Sequence, residues 1–337
     1  MKAWMIDALG RHRLRLGDVE QPEPRPREVL VRVANVSLNY RDLLVLEGTM
    51  GSGRAFPFVP GSDLAGTVVA CGEGTSRFRP GDRVMSTYVP GWIDGRQLGS
   101  AANPNGMTLG GPLPGVLAEF VSLPEDWLVG APGSLSDAEA STLPIAGVTA
   151  WFSLIEEGGL RAGQTVLVQG TGGVALFGIQ IAKAHGARVI VTSSDDGKLA
   201  RAKALGADIG IRRDGDWVKA LIEATDGHGA DHVLEIAGGS NLGKSVEAAA
   251  VGGQIAVIGI IEGLDLAAPA FPLLLKQVVV RGIFVAPRRA AEDFVRALDA
   301  INLKPVIDRR YPLAALPEAL AHLERGAFGK IVIDVAE

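Results

Sequence analysis

Cysteine is almost absent from this chain. Cys71 is the single thiol in 337 residues. One thiol excludes an internal disulfide framework and any cysteine-rich structural zinc site. An excess of basic charge is missing too: 33 Lys and Arg stand against 38 Asp and Glu, a formal net charge of -5. Phosphate backbones require a basic face, so no nucleic-acid partner is expected. No apolar stretch approaches the roughly 20 residues that span a bilayer. The opening MKAWMIDALG lacks the apolar centre of a signal peptide. The expectation is a cytoplasmic protein with no membrane partner. Gly-x-Ser-x-Gly and P-loop signatures are missing, which leaves hydrolase and NTPase readings without support. His12, His185, His228, His232 and His322 are scattered without ligand spacing and read as surface or helix-end residues. His185, just before Gly186, suits a helix C-terminus.

What is present is apolar and rich in glycine. Hydrophobic residues make up 47% and charged residues 21%, enough for a substantial core without long disorder. The first ~130 residues show short alternating runs at 29–33, 66–70 and 83–87, separated by turn clusters at 22–26 and 79–81. Residues 90–115 carry Gly, Pro and Asn and little periodicity, so they form a loop, either a substrate lid or a protein-contact lobe. Ser136 and Glu139 make a capping box that starts a helix. A second helix is predicted over 147–157.

From there strand and helix alternate. Strands are predicted at 165–169, 188–192, 209–211, 232–236, 253–258 and 278–285. Helices are predicted at 174–185, 196–205, 215–225, 241–250 and 269–276. The tail adds helices at 292–300 and 316–325 and a strand at 330–335. Strands spaced by helices mean a doubly wound parallel sheet. The predicted fold is α/β, with a Rossmann domain at 148–286 inserted into a β-rich domain made of 1–147 and 287–337.

The chemistry concentrates in the turn after the strand at 165–169. Gly170, Thr171, Gly172, Gly173 and Val174 lie between a predicted strand and a predicted helix, in a Gly-x-Gly-x-x-Ala pattern that ends at Ala175. Such a turn lets a pyrophosphate approach the backbone and rest on the helix N-terminus. Cofactor choice is read at the end of the next strand, where NAD sites carry an acid. Here Ser193 and Ser194 offer small hydroxyls and Lys198 follows one helical turn on. These suit a 2′-phosphate, whereas Asp195 and Asp196 oppose it, and Lys198 also reads as a solvated helix residue. The balance points to NADP(H), with NAD(H) as the alternative.

With this layout the chain resembles the medium-chain dehydrogenase/reductase superfamily, with its GroES-like catalytic domain. The resemblance rests on VSLNYRD at 36–42, PGSDLAG at 60–66, FRPGDRV at 78–84, the cofactor turn, and GKIV at 329–332. Zinc alcohol dehydrogenases of the superfamily carry a ligating His in a Gly-His-Glu-x-x-Gly segment. This chain has Ser62 in that place, Asn39 near the first zinc Cys position and Ile145 near the other. None supplies the thiolate or imidazole donors zinc requires. The chain is therefore similar to the zinc-free branch, the quinone oxidoreductases and enone reductases.

The resemblance further implies that Asn39, Tyr40, Asp42, Thr149, Gly259 and Ile260 line the nicotinamide region, and Phe284 joins the cofactor set. Without zinc, Tyr40 is the candidate hydrogen-bond donor or acid at a developing oxyanion, supported by Asn39. Tyr40 also reads as a packing residue at the domain wall. The enoyl-reductase subgroup places its Tyr after a later glycine, and Glu47-Gly48-Thr49-Met50 does not reproduce it.

The run 278–285, apolar on both faces, is either a buried parallel strand or a sheet edge. In the resembling family the equivalent strand pairs across a two-fold axis, which implies a homodimer. The expected activity is hydride transfer from NADPH to a quinone or an α,β-unsaturated carbonyl, with a small electrophile as partner. The alternatives are a metal-free alcohol dehydrogenase or carbonyl reductase, and a non-catalytic NADPH-binding sensor or structural protein.

Overall fold

The computed structural model describes residues 1–51 and 53–336. The chain divides into two compact units, Met1–Val148 with Val285–Glu337, and Thr149–Phe284.

The first unit opens with strands β1 (Lys2–Met5) and β2 (Arg15–Asp18), an antiparallel pair. Strands β3 (Glu28–Leu38), β4 (Asp63–Cys71), β5 (Arg83–Ser86), β6 (Phe120–Pro124) and β7 (Leu128–Gly130) follow. The long β3 is the organiser: it pairs antiparallel with β4 and with β6. Its alternating Val and Leu residues enter a core that also holds Leu64, Val84, Leu117 and Ile331. Ser136 caps the helix Asp137–Ala140 as expected, with its hydroxyl accepting from Glu139 N–H and the Glu139 carboxylate accepting from Ser136 N–H. The predicted 147–157 helix extends further back. It runs as a π turn at Leu143–Gly147, an α segment at Val148–Trp151 and a second π turn at Phe152–Glu156.

The second unit is the doubly wound sheet. Its strands are β8 (Thr165–Gln169), β9 (Arg188–Ser193), β10 (Ile209–Arg212), β11 (Ala230–Glu235), β12 (Ala249–Val257) and β13 (Val279–Gly282). They stand in the order β10-β9-β8-β11-β12-β13, all parallel. Sequence order reverses between β8 and β11, and in such sheets the crevice at the strands' carboxyl ends takes the ligand. The helix Gly173–Ala184 crosses the sheet closely. A Cβ on Gly178 would stand 2.4 Å from Leu234 Cδ1, so the tightest helix–strand approach falls there.

The structure corrects one expectation in this unit and decides between two others. His232 is neither a surface nor an end residue: it is 3% exposed, because β11 is an interior strand. Of the two readings of the 278–285 run, the sheet edge holds and the buried strand does not: β13 is an edge strand, shorter than expected, and all four of its residues are exposed, while Val278, Ile283 and Val285 beside it are buried. Val279, Val280 and the nearby Phe271, Leu274 and Leu275 form an apolar surface. His185 caps its helix as expected, its Nδ1 lying 2.8 Å from the Ile181 carbonyl.

The chain then returns to the first unit through the helix Arg288–Ile301, the strand β14 (Ile307–Pro312), the helix Leu316–Glu324 and the strand β15 (Lys330–Asp334). β15 inserts between β14 and β3 and completes the first unit's sheet. No helix among the described residues is long and apolar enough to cross a membrane.

Candidate active site

In the second unit, β8 delivers the glycine turn. Gly170 has φ +75°, a left-handed conformation that Gly adopts without strain. A Cβ built on Gly170 or Gly172 would meet nothing within 4 Å, so the turn leaves open space beside its backbone. Gly172 N-caps the helix Gly173–Ala184 with no side-chain cap, and the first turn carries no acid. The leading N–H groups of Gly173 and Val174 therefore face that space unclaimed by a side chain. With the helix dipole they form an anion cradle. Thr171 is buried within the turn. This geometry fits a dinucleotide pyrophosphate.

Ser193 ends β9 and is buried, whereas Ser194 is exposed. Asp195, which read as an acid opposing a 2′-phosphate, has a structural task. It N-caps the helix Asp196–Ala204, its Oδ1 accepting from Lys198 N–H at 2.8 Å. Lys198 lies half-buried in the first turn of that helix. Gly259 and Ile260 follow β12. A Cβ on Gly259 would sit 1.9 Å from the Ile236 carbonyl oxygen, so the two strand-end segments pack backbone against backbone. Thr149 is buried and Phe284 is 36% exposed.

A cavity of about 60 Å³ opens at these strand ends, lined by Gly170, Thr192, Arg213, Trp217, Asn241 and Ile261 among others. Its floor is organised by Glu235, which the sequence reading missed. The Glu235 carboxylate is fully buried. It accepts from the N–H groups of Ala237 and Gly238, each at 2.9 Å, from Asn241 Nδ2, from Gln169 Nε2 at 3.1 Å, and from the Ser245 hydroxyl. The acid thus ties the segment after β11 to β8 and to the helix Asn241–Ala248. The Gly238-Gly239 pair just after it was the available sequence signal.

In the first unit, Asn39, Tyr40 and Asp42 start the helix Tyr40–Leu46. Asp42 Oδ2 accepts from Asn39 N–H at 2.8 Å, closing a capping box. Tyr40 is 42% exposed, while Asn39, Arg41 and Asp42 are buried. Lys330 reaches in from β15. Its Nζ donates to Asn39 Oδ1 and to the Leu38 carbonyl, both at 2.6 Å. Asp63 completes the cluster: it accepts from the Ser62 hydroxyl at 2.7 Å and from Ile145 N–H at 3.1 Å. Burial pushes the Asp42 and Asp63 carboxyls up and the Lys330 ammonium down, and each shift is opposed by the neighbouring opposite charge. Arg41 holds the other side, donating to the Gly110 carbonyl at 2.7 Å and lying 5.4 Å from the Tyr88 ring centre. The 90–115 segment is therefore gripped at its end by the same helix that presents Tyr40.

Comparison with known proteins identifies the family. Residues 25–133 match the alcohol dehydrogenase GroES-like domain, and residues 173–302 match the zinc-binding dehydrogenase domain. A zinc-type alcohol dehydrogenase-like protein of Schizosaccharomyces pombe is 37% identical, the alignment covering 97% of this chain and 96% of that one. The chain belongs to the medium-chain dehydrogenase/reductase superfamily. It is an oxidoreductase of that superfamily. The quinone oxidoreductase of Rattus norvegicus is 27% identical, covering 94% of this chain and 92% of that protein. A crystal structure from Sinorhizobium meliloti is 58% identical with a TM-score of 0.96, covering 99% of this chain and 98% of that one. Two other solved relatives bear on the cofactor. An NAD-dependent alcohol dehydrogenase is 36% identical at a TM-score of 0.90, covering 100% of both chains. A mycobacterial protein in complex with NADPH is 27% identical at a TM-score of 0.82, covering 99% of this chain and 100% of that one.

The zinc that this medium-chain dehydrogenase/reductase's family description implies does not fit its residues. Asn39 Oδ1 is engaged by the Lys330 ammonium, and the Ser62 hydroxyl donates to Asp63. Ile145 offers a hydrocarbon side chain. The buried Lys330 ammonium takes up Asn39 Oδ1 and the charge of Asp42 and Asp63, and none of Asn39, Ser62 and Ile145 supplies the thiolate or imidazole that zinc requires. Among the described residues, no group of three or more His, Cys, Asp or Glu could hold a metal ion. Cys71 lies elsewhere, its thiol donating to the Phe78 carbonyl at 3.5 Å.

Proposed function

We propose that this chain is a zinc-independent reductase that uses NADP(H) and acts on a small electrophile, a quinone or an α,β-unsaturated carbonyl. The observation that carries the reading is the cluster of Lys330, Asp63 and Asp42 that engages Asn39 and Ser62, two of the positions the resemblance gives to zinc ligands. When bound, the dinucleotide supplies the hydride. The chain's own residues do the rest. The turn from Gly170 to Val174 holds the pyrophosphate on its N–H groups. Thr149, Gly259, Ile260 and Phe284 shape the nicotinamide end, and Ser193, Ser194 and Lys198 face the 2′ substituent. Tyr40 presents its hydroxyl to the substrate oxygen, donating a hydrogen bond and then the proton as charge develops there. Asn39, held by Lys330, supports the helix start from which Tyr40 projects.

Electrophiles that accept hydride at carbon and stabilise the resulting enolate or hydroquinone need less polarisation than a simple ketone. That favours enones and quinones over plain carbonyl reduction in a site without a metal. The exposed edge of β13, with Phe271, Leu274 and Leu275 beside it, supports a homodimer formed across that edge, and a monomer by light scattering would reject it.

The test is a thermal-shift titration with NADPH and NADH, metal analysis of the same sample, and turnover on enones, quinones and saturated ketones. Stabilisation by NADPH and enone or quinone turnover without stoichiometric zinc are expected. Tyr40→Phe is expected to lower kcat by about 100-fold with cofactor affinity unchanged. Zinc-dependent alcohol oxidation would reject the proposal, and stabilisation by NADPH without any turnover would favour a sensor.

A further inference from the structure

We propose that Arg213 recognises the 2′-phosphate of NADP(H), and that Glu262 is its resident competitor, holding the guanidinium until the phosphate arrives. The inference rests on the NADP(H) reading above and narrows it to one pair of side chains.

Arg213 directly follows β10, and its N–H donates to the Ser193 carbonyl at 3.0 Å. It therefore hangs beside the tip of β9, where doubly wound sheets read the ribose 2′ position. Side chains alternate along a strand, so two successive arginines turn to opposite faces. Arg212 turns one way and is committed there, 3.1 Å from Asp196 and bonded to Asp214. Arg213 turns the other way and lines the cavity with Gly170 and Thr192. The same cavity thus holds the turn that takes the pyrophosphate and a guanidinium within reach of the adjoining ribose.

The counter-ion of Arg213 is held loosely. Arg213 Nη1 stands 3.4 Å from Glu262 Oε1, with side-chain exposures of 47% and 42%. A long, half-exposed pair of this kind is screened by water and salt. A phosphate presents more charge and a bidentate geometry that the planar guanidinium matches, so exchanging Glu262 for phosphate is favourable. Glu262 itself is anchored through its backbone, its N–H donating to the Ala237 carbonyl at 2.7 Å. Its carboxylate therefore remains nearby after the exchange and works against the incoming anion. Asp195, the nearer sequence candidate for that opposition, is occupied as a helix cap. Selectivity in this site is then set by two opposed charges: Arg213 favours the phosphorylated ribose, and Glu262 limits how strongly.

Calorimetric titration of the full chain with NADPH, NADH, 2′,5′-ADP and 5′-AMP tests this directly. Arg213→Gln is expected to weaken NADPH and 2′,5′-ADP by about 10- to 100-fold, the size of a lost charge-assisted contact, while NADH and 5′-AMP stay within about twofold. Glu262→Gln is expected to tighten NADPH and 2′,5′-ADP several-fold. In the double variant that gain disappears, because there is no Arg213 left to release. Arg212→Gln leaves the NADPH-to-NADH ratio at the wild-type value. If Arg213→Gln weakened both cofactors equally, Arg213 would be a packing residue and the proposal overturned, as it would be if 2′,5′-ADP bound unchanged. A wild-type chain that takes NADH over NADPH would reject the NADP(H) reading itself, and the proposal with it.

Discussion

Both units bury carboxylates beside their candidate sites, and they neutralise them in opposite ways. Glu235 in the second unit is surrounded by neutral donors: two backbone N–H groups, two side-chain amides and a hydroxyl. Asp42 and Asp63 in the first unit lie among cations, with Arg41 and Lys330 as the charged partners. A nest of dipoles fixes direction, because each N–H must point at an oxygen. A cluster of charges fixes composition, because removing one member leaves an uncompensated ion. The first arrangement suits a loop that must hold one shape around a ligand. The second suits a helix start held around one buried cation.

The largest expected effect breaks the charged arrangement. Lys330→Met leaves two buried carboxylates with one fewer partner and is expected to destabilise the chain by about 3–5 kcal/mol, read from the urea midpoint. Adding Asp63→Asn should recover part of that loss. If Lys330→Met alone were silent, the cluster would not be an ion cluster at all.

A smaller effect is expected from the neutral nest. Glu235→Gln keeps the shape but replaces one acceptor oxygen with a donor facing other donors. A cost of about 1–3 kcal/mol is expected, together with weaker NADPH binding, because the segment after β11 loses its anchor. Glu235→Asp is expected to restore neither fully, since the shorter carboxylate cannot reach all its donors. Equal losses in Glu235→Gln and Lys330→Met would erase the distinction between the two arrangements.

The smallest effect concerns a third buried polar group, His232, which has neither a cation nor a nest. Its Nε2 lies 3.1 Å from Gln164 Oε1, and burial lowers its pKa from the usual 6.5. A folded-state pKa below the unfolded one means the unfolded chain binds more protons between the two values. Stability is therefore expected to fall as pH drops through about 6.5 and to level off below the folded-state pKa. His232→Gln should flatten that part of the profile. An unchanged slope in the variant would assign it to other groups.

The parts of this molecule that were legible in its sequence are those encoded locally. The glycine turn, the alternation of strands and helices from residue 165 onward, and the Ser136–Glu139 capping box each depend on residues a few positions apart, whose spacing carries the geometry. The cluster around Asn39 was not legible in that way. Residues 42, 63 and 330 meet only because β15 pairs with β3 and β3 pairs with β4. GKIV at 329–332 could be read as a family signature, but not as the source of a buried ammonium. Nothing in the sequence separates Arg213 from the identical Arg212, and only the structure shows which of the two lines the cavity. Asp195 carries two readings. Its position after a strand suits both a ribose acid and a helix cap, and the hydrogen bond from Lys198 N–H shows the cap.

The place of β15 also bears on how the chain is made. The second unit is one uninterrupted stretch, Thr149–Phe284, while the first waits for residues from both sides of it. On a ribosome that adds about 5–20 residues per second, the Rossmann unit can close while β3, already able to pair with β4 and β6, still lacks β15. Until residue 330 emerges, Asp42 and Asp63 have no Lys330 to meet and must stay hydrated. The final strand therefore brings the cation that Asp42 and Asp63 lack until then.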